Sequence, residues 1–407
     1  DIFFDDIPYV LENNHTVNFL VLLDGLRIIT DKKCLKVLSS KKYLIINNLL
    51  NLYDICSIFN PILLYKLFLL RKIVAKKSIF FIDGQNFSEL VKDEIIQSLV
   101  DPTFFRNVLL DLALRHIKFS NFSLVLYRLE FQTLERPLLT NSLNKTKTIG
   151  LQHSAMSDNF LNYVFTENEL KTQPLDNVKY SLPLPDVILT CGNLAYKCFI
   201  QAGYAKERLF IVGGVRFNQL HKLMKRKHSK NKLRIQYNIC ISTKIIFIPM
   251  SQLLSENISL IKDLIIAVES LNSPYHVVIK INPIKANNKL FIAQIKKLFD
   301  INNNLITMEL FDNKYNYLDY LCASDAVLLT GGSVAFECVV LGVPPIIYIC
   351  HSQFSHNPMT NYPSSVFLVE DSESLSRALV DVDNLGIING KKNNFDKKQH
   401  LHQPSPP

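Results

Sequence analysis

The sequence predicts an α/β protein with parallel sheets, divided into two domains. Two patterns carry the class and a third carries the division. Short runs rich in β-branched and aromatic residues are apolar on both faces, as buried parallel strands are. Helical patterns separate many of these runs, and strand–helix alternation is what a parallel sheet requires. A strongly basic interruption, HKLMKRKHSKNKLR from His221, has no strand period and parts the earlier strand candidates from the later ones.

Taken in order, the first strand candidates cover residues 17–23, 43–47, 78–82, 124–129, 148–151, 187–190 and 209–212. After the interruption they cover 245–249, 276–281, 305–308, 326–330 and 345–349. Helical patterns occupy 87–100, 103–116, 194–202, 254–270, 289–299 and 333–341. At 407 residues the chain exceeds one ordinary core, and its 48% of hydrophobic residues can fill two. The expected domains are 1–232 and 233–390. The polar, Pro-containing tail 391–407 is expected to be disordered.

The charge balance of 45 Lys and Arg against 36 Asp and Glu, net +9, favours anionic partners. Helix-turn-helix, RNP and zinc-finger patterns are absent, so nucleic acid is not the expected partner. The eight Cys include no CxxC pair and several lie in apolar runs, which reads as reduced, buried thiols. The first residues are acidic, unlike a secretory signal, and no run approaches the roughly 18 apolar residues of a spanning helix.

Ligands of open α/β sheets sit beyond the carboxyl ends of the strands, so the strand ends are the site candidates. In the first half these ends carry Asp83, Glu130, then Gln152-His153, Gly192-Asn193, and Gly214 with Arg216. A carboxylate or imidazole there can take a proton from a hydroxyl, and surface or capping roles stand beside that reading. In the second half, the strand at 326–330 runs into Gly331-Gly332-Ser333 and a helix carrying Glu337. Such a turn bares backbone N–H groups at a helix N-terminus, which suits a phosphate. Glu337 lies one turn after Ser333 on the same face, where a carboxylate can accept from a pair of sugar hydroxyls. The alternative is plain capping by Ser333 with Glu337 in solvent. Ser251, Lys280 and Asn282 end the neighbouring strands. Two doubly wound, Rossmann-like domains facing across a cleft would accommodate a nucleotide-linked substrate.

The stretch SDAVLLTGGSVAFECVVLGVPPIIY, from Ser324 to Tyr348, resembles the nucleotide-sugar domain of GT-B glycosyltransferases. The stretches YRLEFQTLERPLL, IGLQHSAMS, LPDVILTCGNLA and RLFIVGGVRF are similar to bacterial surface-polysaccharide glycosyltransferases of the capsule and lipopolysaccharide type. The resemblance spans about 120–350 and departs at Asn282, where many relatives carry His before Pro. It implies a GT-B fold, donor phosphate on Gly331, Gly332 and Ser333, and donor hydroxyls on Glu337. It further implies transfer of a sugar from a nucleotide-activated donor to a hydroxyl of a surface glycan or lipid-linked glycan, with Glu130, His153 or Asp83 as base. No DxD-type acidic pair stands at a strand end, so neither metal nor cofactor is expected. The alternatives are a nucleotide-sugar epimerase of the same architecture and a non-catalytic anion- or nucleic-acid-binding protein.

The segment PILLYKLFLLRKIVAKK, residues 61–77, reads as a helix with a broad apolar surface and five cations. Its breadth fits burial in the first domain. Its cations fit an interfacial helix, and with that a cytoplasmic protein held peripherally on the inner face of the membrane.

Overall fold

The computed structural model describes residues 7–21, 43–76, 81–82, 84–131, 133–153, 156, 161–170, 182–214, 217, 220, 234–235, 240, 244–283, 285–299, 305–311, 317–349 and 357–388. The chain divides into two compact units. The first comprises Phe3–Gln152 and Phe165–Leu189, the second His153–Val164 and Thr190–Pro407.

In the first unit, β1 (Phe19–Val21) pairs in parallel with β2 (Tyr43–Ile45). Of the run expected as a parallel strand at 78–82, residues 78–80 lie outside the described residues. Its described part, β3 (Phe81–Ile82), makes a two-residue antiparallel ladder with β4 (Gln85–Asn86). Gly84, just before β4, has φ +78°, the left-handed region that tight hairpins need. The main strands are β5 (Leu124–Leu129), β6 (Lys147–Gln152) and β7 (Val187–Thr190), all parallel. The strand order is β5-β6-β7-β8, where β8 (Leu209–Ile211) falls among the residues of the second unit. A separate apolar cluster gathers Leu110, Ala113 and Leu114 of the Pro102–Arg115 helix with Ile46, Ile117 and Phe119. That helix starts where its sequence dictates: the Asp101 side chain accepts from the Thr103 N–H, and Pro102 sits where no N–H is needed.

The Pro61–Lys76 helix also begins on a proline. Burial was one expectation for it, and the structure corrects that: Leu64, Tyr65, Phe68 and Leu70 are exposed, as are Lys66, Arg71 and Lys72. Among the described residues no helix is long and apolar enough to cross a membrane.

The second unit holds a six-stranded parallel sheet formed by β9 (Lys244–Pro249), β10 (Tyr275–Lys280), β11 (Ile306–Leu310), β12 (Ala326–Leu329), β13 (Pro345–Tyr348) and β14 (Phe367–Val369). Its order is β11-β10-β9-β12-β13-β14. The chain therefore winds outward from β9 in one direction, returns to the centre at β12, and winds outward in the other. This is the doubly wound, Rossmann-like arrangement. Alternation along the strands explains it. Ile246 and Ile248, Val277 and Ile279, Ala326 and Leu328 enter one buried cluster; Ile245 and Phe247, Val278, Val327 and Leu329 enter the other. Both faces are thus covered. The Leu254–Leu271, Lys289–Phe299 and Ser372–Ile388 helices cover the first, and the Tyr317–Ala323 and Val334–Leu341 helices the second.

Part of the basic stretch before the sheet is an anchor. Arg234 is buried, donating from Nε to the Ala323 carbonyl at 3.0 Å and from an Nη to Asp325 Oδ2 at 2.5 Å. The same Asp325 oxygen accepts from the Ile245 N–H at 2.7 Å, fixing the start of β9. Upstream of the stretch, Leu220 is buried in the second cluster and Phe217 packs against it. Of the cysteines, Cys338 is buried and Cys191, Cys198 and Cys322 are half-buried. Cys56 and Cys240 are exposed, against the expectation of buried thiols, and Cys34 and Cys350 lie outside the described residues.

Candidate functional site

The reversal of winding between β9 and β12 opens a crevice at their carboxyl ends, because neighbouring loops there run in opposite directions. Two turns flank it: Met250-Ser251-Gln252-Leu253 after β9 and Thr330-Gly331-Gly332-Ser333 after β12. Both are held by side chains that the strand-end reading did not single out. Asn257, almost wholly buried, accepts from the Ser251 N–H at 3.1 Å and donates to the carbonyls of Ser251 and Leu253 at 3.1 and 2.9 Å. Thr330 donates to Glu256 at 3.2 Å, tying the second turn to the start of the helix after β9. Ser251 exchanges its hydroxyl hydrogen bonds with Leu253, which makes it part of the turn.

Gly332 has φ +97°, a conformation that L side chains rarely adopt. A Cβ on Gly331 or Gly332 would meet no atom within 4 Å, so both glycines border open space. Ser333 does not cap the helix: its side chain makes no capping hydrogen bond, and its backbone is already helical. Glu337 is not solvated either. It is only 6% exposed, in the first turn of the Val334–Leu341 helix, where the helix dipole favours a carboxylate. Gly342, with φ +73°, ends that helix in the left-handed conformation.

Lys280 completes the group. It is the last residue of β10, in register with Pro249 of β9, and its carbonyl accepts from the Met250 N–H at 3.0 Å. Alternation places it on the same sheet face as Val278, the face that the Glu337 helix covers. Its Nζ lies 5.0 Å from the centroid of the Tyr317 ring. Burial lowers the ammonium pKa from its ordinary value, and the Glu337 carboxylate opposes that shift. One face of the strand ends therefore offers a half-buried cation, a buried carboxylate and an open Gly-Gly turn. Asn282 follows two residues later, and its carbonyl accepts from the Lys285 N–H in a tight turn.

The other candidates are placed singly. In the first unit, Glu130 directly follows β5 and is buried. The turn after it is held by Glu135, whose two carboxylate oxygens accept from the N–H groups of Glu130 and Phe131 at 2.9 and 3.1 Å. Phe131 has φ +52°, and Glu135 is what stabilises that turn. Gln152 is the buried last residue of β6, in register with Leu129 of β5. In the second unit, His153 follows β6 and is half-buried. Gly192 precedes, and exposed Asn193 opens, the Asn193–Gln201 helix. Gly214 has a packing reason to be glycine, since a Cβ there would run into the Phe217 ring. Asp83 and Arg216 lie outside the described residues.

Two solved structures resemble the chain over most of its length. One is the UDP-N-acetylglucosamine 2-epimerase of Neisseria meningitidis, bound to UDP-N-acetylglucosamine. It has a TM-score of 0.53 and 11% identity, covering 96% of this chain and 90% of that one. The other is the UDP-N-acetylglucosamine 2-epimerase of Methanocaldococcus jannaschii, with a TM-score of 0.52 and 13% identity, covering 93% and 88%. No protein-family model and no curated protein matches the chain. The likeness shows the α/β, GT-B-like architecture. It also corrects the glycosyltransferase expectation, because these neighbours are nucleotide-sugar epimerases. The physical reason is that a strand, a small-residue turn, Ser and a Glu four residues on suit the nucleotide end of such a substrate and not the reaction. That pattern carries no information about whether an acceptor follows.

Proposed function

We propose that the chain is a nucleotide-sugar epimerase, binding a UDP-linked sugar at the carboxyl ends of the second unit's strands. The observation that carries this is the placement of buried Glu337 one helical turn after the open Gly331-Gly332-Ser333 turn, beside the reversal of strand order. In this reading the turn's N–H groups and Lys280 receive the diphosphate, and Glu337 accepts from paired hydroxyls of the nucleoside or sugar. The likeness to epimerases over some nine-tenths of the chain supports the choice of reaction.

Epimerisation at a carbon bearing hydrogen breaks that C–H bond and re-forms it on the opposite face. It needs a group to take the proton and one to return it, but no acceptor glycan. The group proposed for this in the second unit is His153, one residue past the end of β6. Incubation with UDP-N-acetylglucosamine in deuterated water should place deuterium at C2 and yield the 2-epimer, read by mass spectrometry and proton NMR. His153→Gln should lower exchange by about 10²–10⁴-fold while UDP affinity stays unchanged. A chain that binds UDP but never exchanges C2–H is not an epimerase of this sugar.

A further inference from the structure

We infer that the segment 51–76 of the first unit is a docking surface for an anionic lipid bilayer. The inference is independent of the nucleotide-sugar reading. Apolar side chains that would normally be buried stand in water here: Leu52 is 77% exposed, Tyr53 80%, Phe59 69% and Phe68 60%, with Leu64 and Tyr65 beside them. They lie on two consecutive helices, Leu52–Ser57 and Pro61–Lys76. Such a concentration of exposed apolar groups marks an interaction surface.

Charge identifies the occupant. Lys66, Arg71 and Lys72 are exposed among these residues. The only acidic residue from 51 to 76 is Asp54, which is buried and accepts from the Asn51 N–H while paired with His116 Nε2 at 2.9 Å. Among its described side chains this segment therefore exposes cations and no carboxylate, while the neighbouring Ser88–Val100 helix carries exposed Glu89, Asp93 and Glu94. Phe68 lies one turn before Arg71 and Lys72, so its ring and their charges share one side of the helix. Aromatic rings with cations one turn away match the boundary between headgroups and acyl chains. A second copy of the chain would bring like charges together across a twofold axis. Single-stranded nucleic acid would use the rings and cations but would leave Leu52 and Leu64 in water.

The test is sedimentation of the full chain with vesicles of phosphatidylcholine alone, or mixed with phosphatidylglycerol. Binding is expected to the mixed vesicles at low salt and to weaken as salt rises. The double variant Arg71→Glu, Lys72→Glu should bind at least about twenty-five-fold more weakly, from about fivefold per cation near an anionic surface. Phe68→Ser should also weaken binding, with the melting temperature unchanged in both variants because these positions are exposed. Binding of wild type and both variants alike, or no binding to mixed vesicles at low salt, overturns the inference. So does a dimer lost in Phe68→Ser without vesicle binding, or retention of single-stranded DNA in place of vesicles.

Discussion

At the level of single residues, the candidate site rests on side chains with unlike duties. Ser333 and Glu337 border the crevice, while Asn257, Glu256 and Glu135 hold backbone turns. The first kind was legible in the sequence, because a Gly-Gly-Ser turn followed by Glu at helical spacing constrains where the carboxylate must lie. The second kind was not. A buried Asn that serves main-chain groups looks, in sequence, like any polar residue early in a helix. Ser251 stands between the two kinds: its place after a strand marks it as a ligand candidate, and its hydroxyl hydrogen-bonds within its own turn. The distinction yields a prediction. Ser333→Ala should weaken UDP binding by about 1 kcal/mol, the net worth of a typical hydrogen bond. Lys280→Met should cost more, since a hydrogen bond to a charged group contributes about 1.5–3 kcal/mol. Isothermal titration with UDP measures both, and equal affinities for the two variants and wild type would remove these residues from the site.

Among the elements, the long strands and helices were legible because burial on both faces imposes a continuous apolar run. Strand candidates at 124–129 and 187–190 match β5 and β7 to the residue. Short or locally decided elements were not. β14 has three residues, and the pair β3–β4 turns at Gly84, whose left-handed backbone an apolar run does not announce. The Leu52–Ser57 helix shows how local such decisions are. Asn51 and Asp54 form a reciprocal capping box, and Asp54 also reaches His116 at the end of the Pro102–Arg115 helix. The Asn51 N–H, and then His116, hold the Asp54 carboxyl below its ordinary pKa against the opposing cost of burial. A carboxyl with a lowered folded-state pKa contributes stability that is fully present above its unfolded value, about 3.9, and is lost as pH falls through the folded value. Asp54→Asn should therefore lower the melting temperature by a constant amount from pH 7 to about 5. The gap should narrow below about pH 4, a trend that thermal unfolding followed by circular dichroism can check.

For the molecule as a whole, the sequence conveyed class and architecture but not reaction. Strand–helix alternation led to the doubly wound sheet, and the +9 charge agrees with an anionic ligand without naming one. The choice between transfer and epimerisation depends on what lies beside the sugar, and motifs that grip the nucleotide are silent on that. The proposed nucleotide site should also be visible globally. UDP at a hundred times its dissociation constant should raise stability by about 2.7 kcal/mol, seen as a higher melting temperature.

The anchoring of Arg234, Leu220 and Phe217 has a practical corollary for cutting the chain. A fragment begun at Lys244, just ahead of the first strand of the six-stranded sheet, would discard all three. Asp325 would keep the Ile245 N–H but lose its guanidinium, and the cluster around Phe247 and Leu321 would be uncovered where Leu220 now sits. Removing one partner of a fully buried ion pair costs about 3–5 kcal/mol, and less here because Asp325 is partly exposed. Such a fragment should be recovered from inclusion bodies, whereas one begun at His153, which keeps every residue of the second unit, should stay in the supernatant and melt cooperatively. The point at which the polypeptide can be severed lies upstream of the basic stretch, not within it.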